Sequence, residues 1–208
     1  MTVDRETLDR MLRGGAARVR AARDRLTELD SHGGDGDHGT TMARAMDRLE
    51  EALDGSAEPA ALLRAVGWAI MGVDGGAIGP LLGSFFMSSA KVANDDSSLA
   101  DLFEAGLAGV LKNTRARVGD KTLIDALEPA VAALRAVENE GAPLPEALAR
   151  AAEAAERGAE STIDLEARFG RAKNLGPDSR GHADPGATSI ALLFRGFHEG
   201  ISQEGSGE

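Results

Sequence analysis

The chain has 208 residues, 42% of them hydrophobic, no cysteine and a formal net charge of −11. One domain of this size buries roughly 70% of the surface its unfolded chain exposes, so an ordered core is expected and disorder is confined to the ends. The negative balance and scattered Lys and Arg make nucleic acid and anionic membrane poor partners, and the missing thiols exclude disulfides, cysteine nucleophiles and Cys-ligated zinc.

Apolar spacing is helical throughout, with no sustained strand-like alternation. The first helix is predicted over about residues 4–29, with Leu8, Met11, Leu12, Val19, Leu26 and Leu29 on one stripe. After an acidic loop, Met42, Ala45, Met46, Leu49 and Leu53 mark the second, and Leu62, Leu63, Val66 and Ile70 the third. The fourth opens at Pro80, a residue suited to a first turn. The fifth begins near Ser98, where Asp101 three residues on suggests a capping box. The sixth carries Leu123, Leu127, Val131 and Leu134, the seventh is the Ala-rich run 144–164, and the eighth carries Ile190, Leu193, Phe194 and Phe197. One domain over 1–202 is expected, with a polar, frayed tail over 203–208. The first residues lack the apolar run of a signal peptide, and the longest central apolar run is broken by Gly67, Gly72 and Asp74, so a cytoplasmic location is expected.

Eight helices with short connections run up and down, which places alternate loops at opposite ends. The loops after the second, fourth and sixth helices are plain. Those after the first, third, fifth and seventh hold the glycine-rich and charged connections: 30–38, 72–79, 113–120 and 165–186. A function at that end is the economical explanation.

Within the first of these loops, Asp30, Asp35 and Asp37 crowd three carboxylates into eight positions with glycines between them. Such a loop is either a solvated acidic turn or a site for a hard dication with oxygen ligands. Counting from Asp35 places Gly39 fifth and Met46 twelfth, which excludes an EF-hand. Mg²⁺ usually shares its shell with phosphates, so the metal reading becomes a phosphate reading. Thr40-Thr41, Pro80 and Gly186-Ala187-Thr188 read as helix starts, whose free N–H groups attract anions. His38 could be a ligand, a hydrogen-bond donor to phosphate or polar surface, and the donor role is favoured. Arg171 and Lys173 are either solvated charges or cover for phosphate charge, and His182 and Asp184 could simply cap the last helix. Ser88 and Ser89 have no legible His base, so a hydrolytic triad is unsupported.

The runs Gly34-Asp35-Gly36-Asp37-His38-Gly39, Gly75-Gly76-Ala77-Ile78-Gly79-Pro80, Gly119-Asp120-Lys121-Thr122, Gly170-Arg171-Ala172 and Gly181-His182-Ala183-Asp184-Pro185-Gly186-Ala187-Thr188-Ser189 occur in one order across nearly the whole chain. Together they resemble the ADP-binding L-subunit family of bacterial dihydroxyacetone kinases. The resemblance implies an all-α, barrel-like antiparallel bundle of eight helices with a nucleotide at one end. It implies ADP or ATP held through two Mg²⁺ by Asp30, Asp35 and Asp37. The nucleotide contacts it implies are His38, Gly39, Thr40, Thr41, Ala77, Ile78, Thr114, Leu123, Arg171, Asp184, Pro185 and Gly186. Ile78 departs from the pattern, because the family usually places a serine there.

By the same resemblance the chain is one part of a kinase with no protein nucleophile of its own. It would pass phosphoryl groups to a keto-sugar on a separate K-type subunit, with a phosphohistidine protein recharging the ADP. About three negative charges on ADP and three on the aspartates are offset by four on two Mg²⁺, leaving Arg171 and helix N-termini to cover the rest. The alternatives are an ATP-dependent kinase subunit for a tetrose such as erythrulose, and a non-catalytic nucleotide–Mg sensor that binds a regulator.

Overall fold

The computed structural model describes residues 2–55, 58–94 and 96–202, and the predicted tail over 203–208 lies outside them. Among the described residues there are nine α-helices and no strand, only an isolated bridge between Thr2 and Ser98. They are α1 (Arg5–Ala21), α2 (Arg23–Ser31), α3 (His38–Leu53), α4 (Pro59–Met71), α5 (Ile78–Val92), α6 (Leu99–Leu111), α7 (Ile124–Asn139), α8 (Leu144–Ser161) and α9 (Pro185–Ser202). Two short 3₁₀ segments, Thr162–Asp164 and Ala172–Ser179, interrupt the connection before α9. Among the described residues no helix is long and apolar enough to cross a membrane.

One predicted helix divides and two predicted starts shift. The single helix expected over about 4–29 is two, divided at Ala22 (φ −98°, ψ 10°). The break adjoins the place where Gly39 crosses α2: a Cβ there would run into the Arg23 carbonyl and the Thr27 side chain. Helix α5 begins at Ile78, which puts Pro80 inside its first turn, and α9 begins at Pro185. The capping box at α6 forms as read. Asp101 N–H donates to Ser98 Oγ at 3.1 Å and Ser98 N–H donates to the Asp101 carboxylate at 3.0 Å. Asp4 caps α1, accepting from Thr7 N–H at 2.8 Å.

Each helix from α3 to α9 packs on its successor, and α9 packs on α1, which also meets α3, so the bundle closes into a ring. The closing seam is made of glycine. Gly14 and Gly15 of α1 face Gly196 and Gly200 of α9 so closely that a Cβ on Gly14 or Gly196 would enter the opposite backbone. Inside the ring the buried rings of Phe85, Phe86, Phe103, Phe194 and Phe197 meet edge-on or tilted, with centroids 5.2–6.0 Å apart. That spacing suits the aromatic quadrupole. With the core filled, the connections at one end are left to build a surface feature.

Candidate functional site

All four unusual connections converge on one cleft of about 410 Å³, within the range of small-molecule sites. One wall is acidic. Asp30 closes the last turn of α2, and the Gly33 and Gly34 amides donate to its carbonyl at 3.2 and 2.6 Å. Gly34 has to be glycine, since a Cβ there would overlap the Asp30 carboxylate. Asp30, Asp35 and Asp37 offer carboxylate oxygens that lie within 4.8 Å of one another. Burial pushes the Asp37 carboxyl above its ordinary value, the neighbouring Asp35 and Asp30 charges push it further, and Arg171 opposes them. Three hard oxygen donors that repel one another without a cation fit a divalent ion such as Mg²⁺.

Apolar side chains also line the cleft, among them Ile78, Leu81, Ala116, Leu123, Phe169 and Leu175. The cleft thus combines a carboxylate cluster with apolar lining, which suits a ligand that has both charged and apolar parts. Arg171 reaches from the 3₁₀ segment before α9 to pair with Asp35. The His38 imidazole Nε2 lies 3.1 Å from Ser189 Oγ, and burial holds its pKa below the ordinary histidine value against the pull of Asp30. At Gly75 the chain takes φ 126°, and a Cβ would strike the Thr41 hydroxyl, so the 72–79 loop lies directly on α3.

Of the residues named from sequence, Asp30, Asp37, His38, Thr41, Ala77, Ile78, Thr114, Leu123, Arg171, Asp184, Pro185 and Gly186 line this cleft. Asp35 joins through the acidic cluster. Gly39 and Thr40 do not line it: Gly39 is buried against α2 and Thr40 is exposed on α3. Ile78 is 7% exposed at the first position of α5. Thr114 accepts from the Ala116 N–H at 3.1 Å.

Asp184 has two roles. Its carboxylate caps α9, accepting from Ala187 N–H at 2.7 Å, as the capping alternative expected. Burial pushes this carboxyl up to about 7, and Asp125 adds repulsion, while the Ala187 amide and Lys121 oppose the shift. The folded protein therefore holds this proton more tightly than the unfolded chain does. The group's contribution to stability is complete below about pH 4 and is lost as pH rises to about 7. Asp184→Asn keeps a competent N-cap but cannot ionise. Urea unfolding between about pH 4.5 and 8 should show a shallower decline for the variant than for the wild type. Parallel curves would refute the shift.

Sequence reading passed over three residues at this end. Lys121 is buried, and Asp125, also buried, accepts from Gly119 N–H at 2.6 Å and Thr122 N–H at 2.7 Å, pinning the turn between them. His32 stacks on His182, with centroids 3.6 Å apart and planes 10° from parallel, across the two loops that flank the cleft. No local signal distinguishes a buried lysine from a surface one, and none announces a stack between residues 150 positions apart.

A family model described as the DAK2 domain matches residues 32–199. The chain belongs to the DAK2-domain family. It is 38% identical over 177 residues to the "PEP-dependent dihydroxyacetone kinase, ADP-binding subunit DhaL" of Escherichia coli K12, covering 82% of this chain and 84% of that one. It is 38% identical over 201 residues to the ADP-binding subunit DhaL of PEP-dependent dihydroxyacetone kinase 1 from Listeria innocua, covering 93% and 96%. Its fold is similar to the crystal structure of the C. freundii dihydroxyacetone kinase in complex with AMP-PNP and Mg²⁺. The TM-score is 0.75 at 28% identity, over 96% of this chain and 34% of that one. This DAK2 chain thus matches about a third of the larger kinase and nearly the whole of the stand-alone subunits.

Proposed function

We propose that this chain is the nucleotide-holding subunit of a dihydroxyacetone-type kinase, acting on a short keto-sugar bound by a separate K-type subunit. The observation that carries the reading is the cleft itself: a carboxylate cluster beside apolar lining, in a chain whose residues 32–199 match the DAK2 domain. Asp30, Asp35 and Asp37 would hold two Mg²⁺, and through them the phosphates of ADP or ATP. Bound Mg²⁺–nucleotide supplies the transferable phosphoryl group and neutralises its charge. The chain's own part is positioning. The amides at the starts of α3, α5 and α9 would offer donors to phosphate, Leu123 and Thr114 would contact the nucleotide, and Arg171, now paired with Asp35, would supply a cation to the phosphates. No serine, cysteine or histidine is asked to form a covalent intermediate.

Isothermal titration with ADP tests this, with and without Mg²⁺, together with mass spectrometry of the denatured purified protein. Binding that requires both components supports the reading, and no binding in either condition refutes it. Phosphoryl transfer to dihydroxyacetone on adding a K-type subunit tests the partner. Arg171→Ala removes a charge-assisted hydrogen bond of about 1.5–3 kcal/mol, or roughly 10- to 150-fold in affinity, and should flatten the salt dependence of ADP binding. Wild-type affinity and salt slope in that variant would reduce Arg171 to surface charge.

Ile78 favours a second reading of the phosphate donor. Its buried aliphatic side chain cannot donate to phosphate, although its N–H can. A site lacking that bond should release ADP faster, since affinity differences within one site lie mostly in the off-rate. Fast release suits exchange of ADP for ATP in solution better than permanent retention and recharging by a phosphohistidine protein. Ile78→Ser should therefore slow ADP dissociation about tenfold, measured by stopped-flow displacement of a fluorescent analogue. Equal off-rates would mean that backbone and metal already hold the phosphates.

A further inference from the structure

Lys121 is a cation that the acidic cluster and the phosphate contacts leave unused. It is 5% exposed, although lysine is almost never fully buried unless paired. Its backbone lies at φ 61°, the only non-glycine residue in the left-handed region among the described residues. Such a conformation is strained for a side-chain-bearing residue and persists only where the surroundings over-determine it.

What holds it is a pair of short hydrogen bonds. The Nζ donates to the Thr162 carbonyl at 2.5 Å and to the His182 carbonyl at 2.6 Å. Those carbonyls are the two ends of the segment between α8 and α9, the longest connection at the cleft end. The same neck is closed by Gly181 N–H on the Ile163 carbonyl at 2.8 Å and by Asp184 N–H on Thr162 Oγ1 at 2.8 Å. Arg168 N–H donates to the Asp120 carbonyl at 3.2 Å, stitching the segment to the turn that carries Lys121. The carboxylates of Asp184, Asp125 and Asp164 surround the ammonium at longer range and favour its charge against burial. Beyond the neck, the segment carries Arg171 across the cleft to the acidic cluster.

We propose that Lys121 is a positioning residue whose ammonium clasps the Thr162 and His182 carbonyls, so that the 162–184 segment presents Arg171 and Asp184 to the nucleotide. The inference rests on the nucleotide reading above. It explains why a strained lysine occupies a turn where glycine would sit without strain. The side chain's contribution to holding the segment exceeds its backbone cost.

Lys121→Gly separates these terms, because it relieves the backbone while removing the clasp, and Lys121→Met keeps most of the packing. Both variants should retain the helical circular-dichroism signal but bind MgADP about tenfold or more weakly, in line with the loss from a small misplacement of binding groups. Amide exchange at Gly181 and Arg168 should accelerate about tenfold or more, with the core helices unchanged. In Lys121→Gly, n-butylammonium should restore affinity and 1-butanol should not. A folded variant that binds MgADP like the wild type overturns the proposal. So does weakened binding without faster exchange, equal rescue by butanol, or loss of the fold in both variants, which would make Lys121 a core residue only. Failure of the wild type to bind MgADP would instead refute the nucleotide reading.

Discussion

Asp35→Asn should weaken MgADP binding by about a hundredfold or more, because on the proposed reading it removes a charged metal ligand, where even an outer-shell change typically costs 10- to 100-fold. Asp35 is the most exposed of the three carboxylates and the one paired with Arg171, so its loss would alter both the proposed metal set and the cation's resting partner. The apo fold should be spared. An exposed pair contributes at most about 1 kcal/mol, and removing Asp35 also relieves the repulsion that raises Asp37. The two effects therefore separate in one thermal-shift experiment. Saturating MgADP at about 100 times Kd stabilises the wild type by about 2.7 kcal/mol, and the variant should show almost none of that shift at the same concentration. A variant that keeps the full Mg²⁺-dependent shift would remove Asp35 from the metal set.

Gly196→Ala should lower stability by about 2–3 kcal/mol, at the upper end for overpacking of a tight interface. For a chain of this length that corresponds to about 5–10 °C in Tm. The sign decides the matter. Judged by local propensity, replacing a mid-helix glycine by alanine should stabilise by about 0.5–1 kcal/mol. The structure predicts the reverse, because the new Cβ would enter the Gly14 carbonyl and the Gly15 backbone across the seam that closes the ring. Gly55→Ala, in the turn after α3, is a control for the added methyl alone, since a Cβ there meets nothing within 4 Å. Thermal unfolding followed by circular dichroism measures both, and a Gly196→Ala Tm equal to or above wild type would show that α1 and α9 pack with more slack than these contacts imply.

The helices were legible because a core-facing stripe leaves a 3.6-residue period. Leu8, Met11, Leu12 and Val19, or Met42, Met46, Leu49 and Leu53, are each buried as the spacing required. The capping box at Ser98 and Asp101 was legible for the same reason, since both partners lie within one turn. The break at Ala22 was not. The run Arg20-Ala21-Ala22-Arg23 has no glycine or proline, and the break adjoins the crossing of Gly39, 17 positions away in sequence. Parity of short connections placed the four glycine-rich loops at one end, where they do line a single cleft.

By itself, then, the sequence determined an all-helical chain, the end at which its chemistry gathers, and the crowding of three carboxylates there, because each of these rests on local spacing or on simple alternation. Tertiary structure alone decided the rest. It set Gly39 against α2 rather than in the cleft, made the glycines of α1 and α9 a closing seam, paired Arg171 with Asp35, and buried Lys121 under two carbonyls from the far end of the chain. Those outcomes depend on distances between segments that are remote in sequence, and side-chain identity carries no record of which remote backbone will arrive beside it.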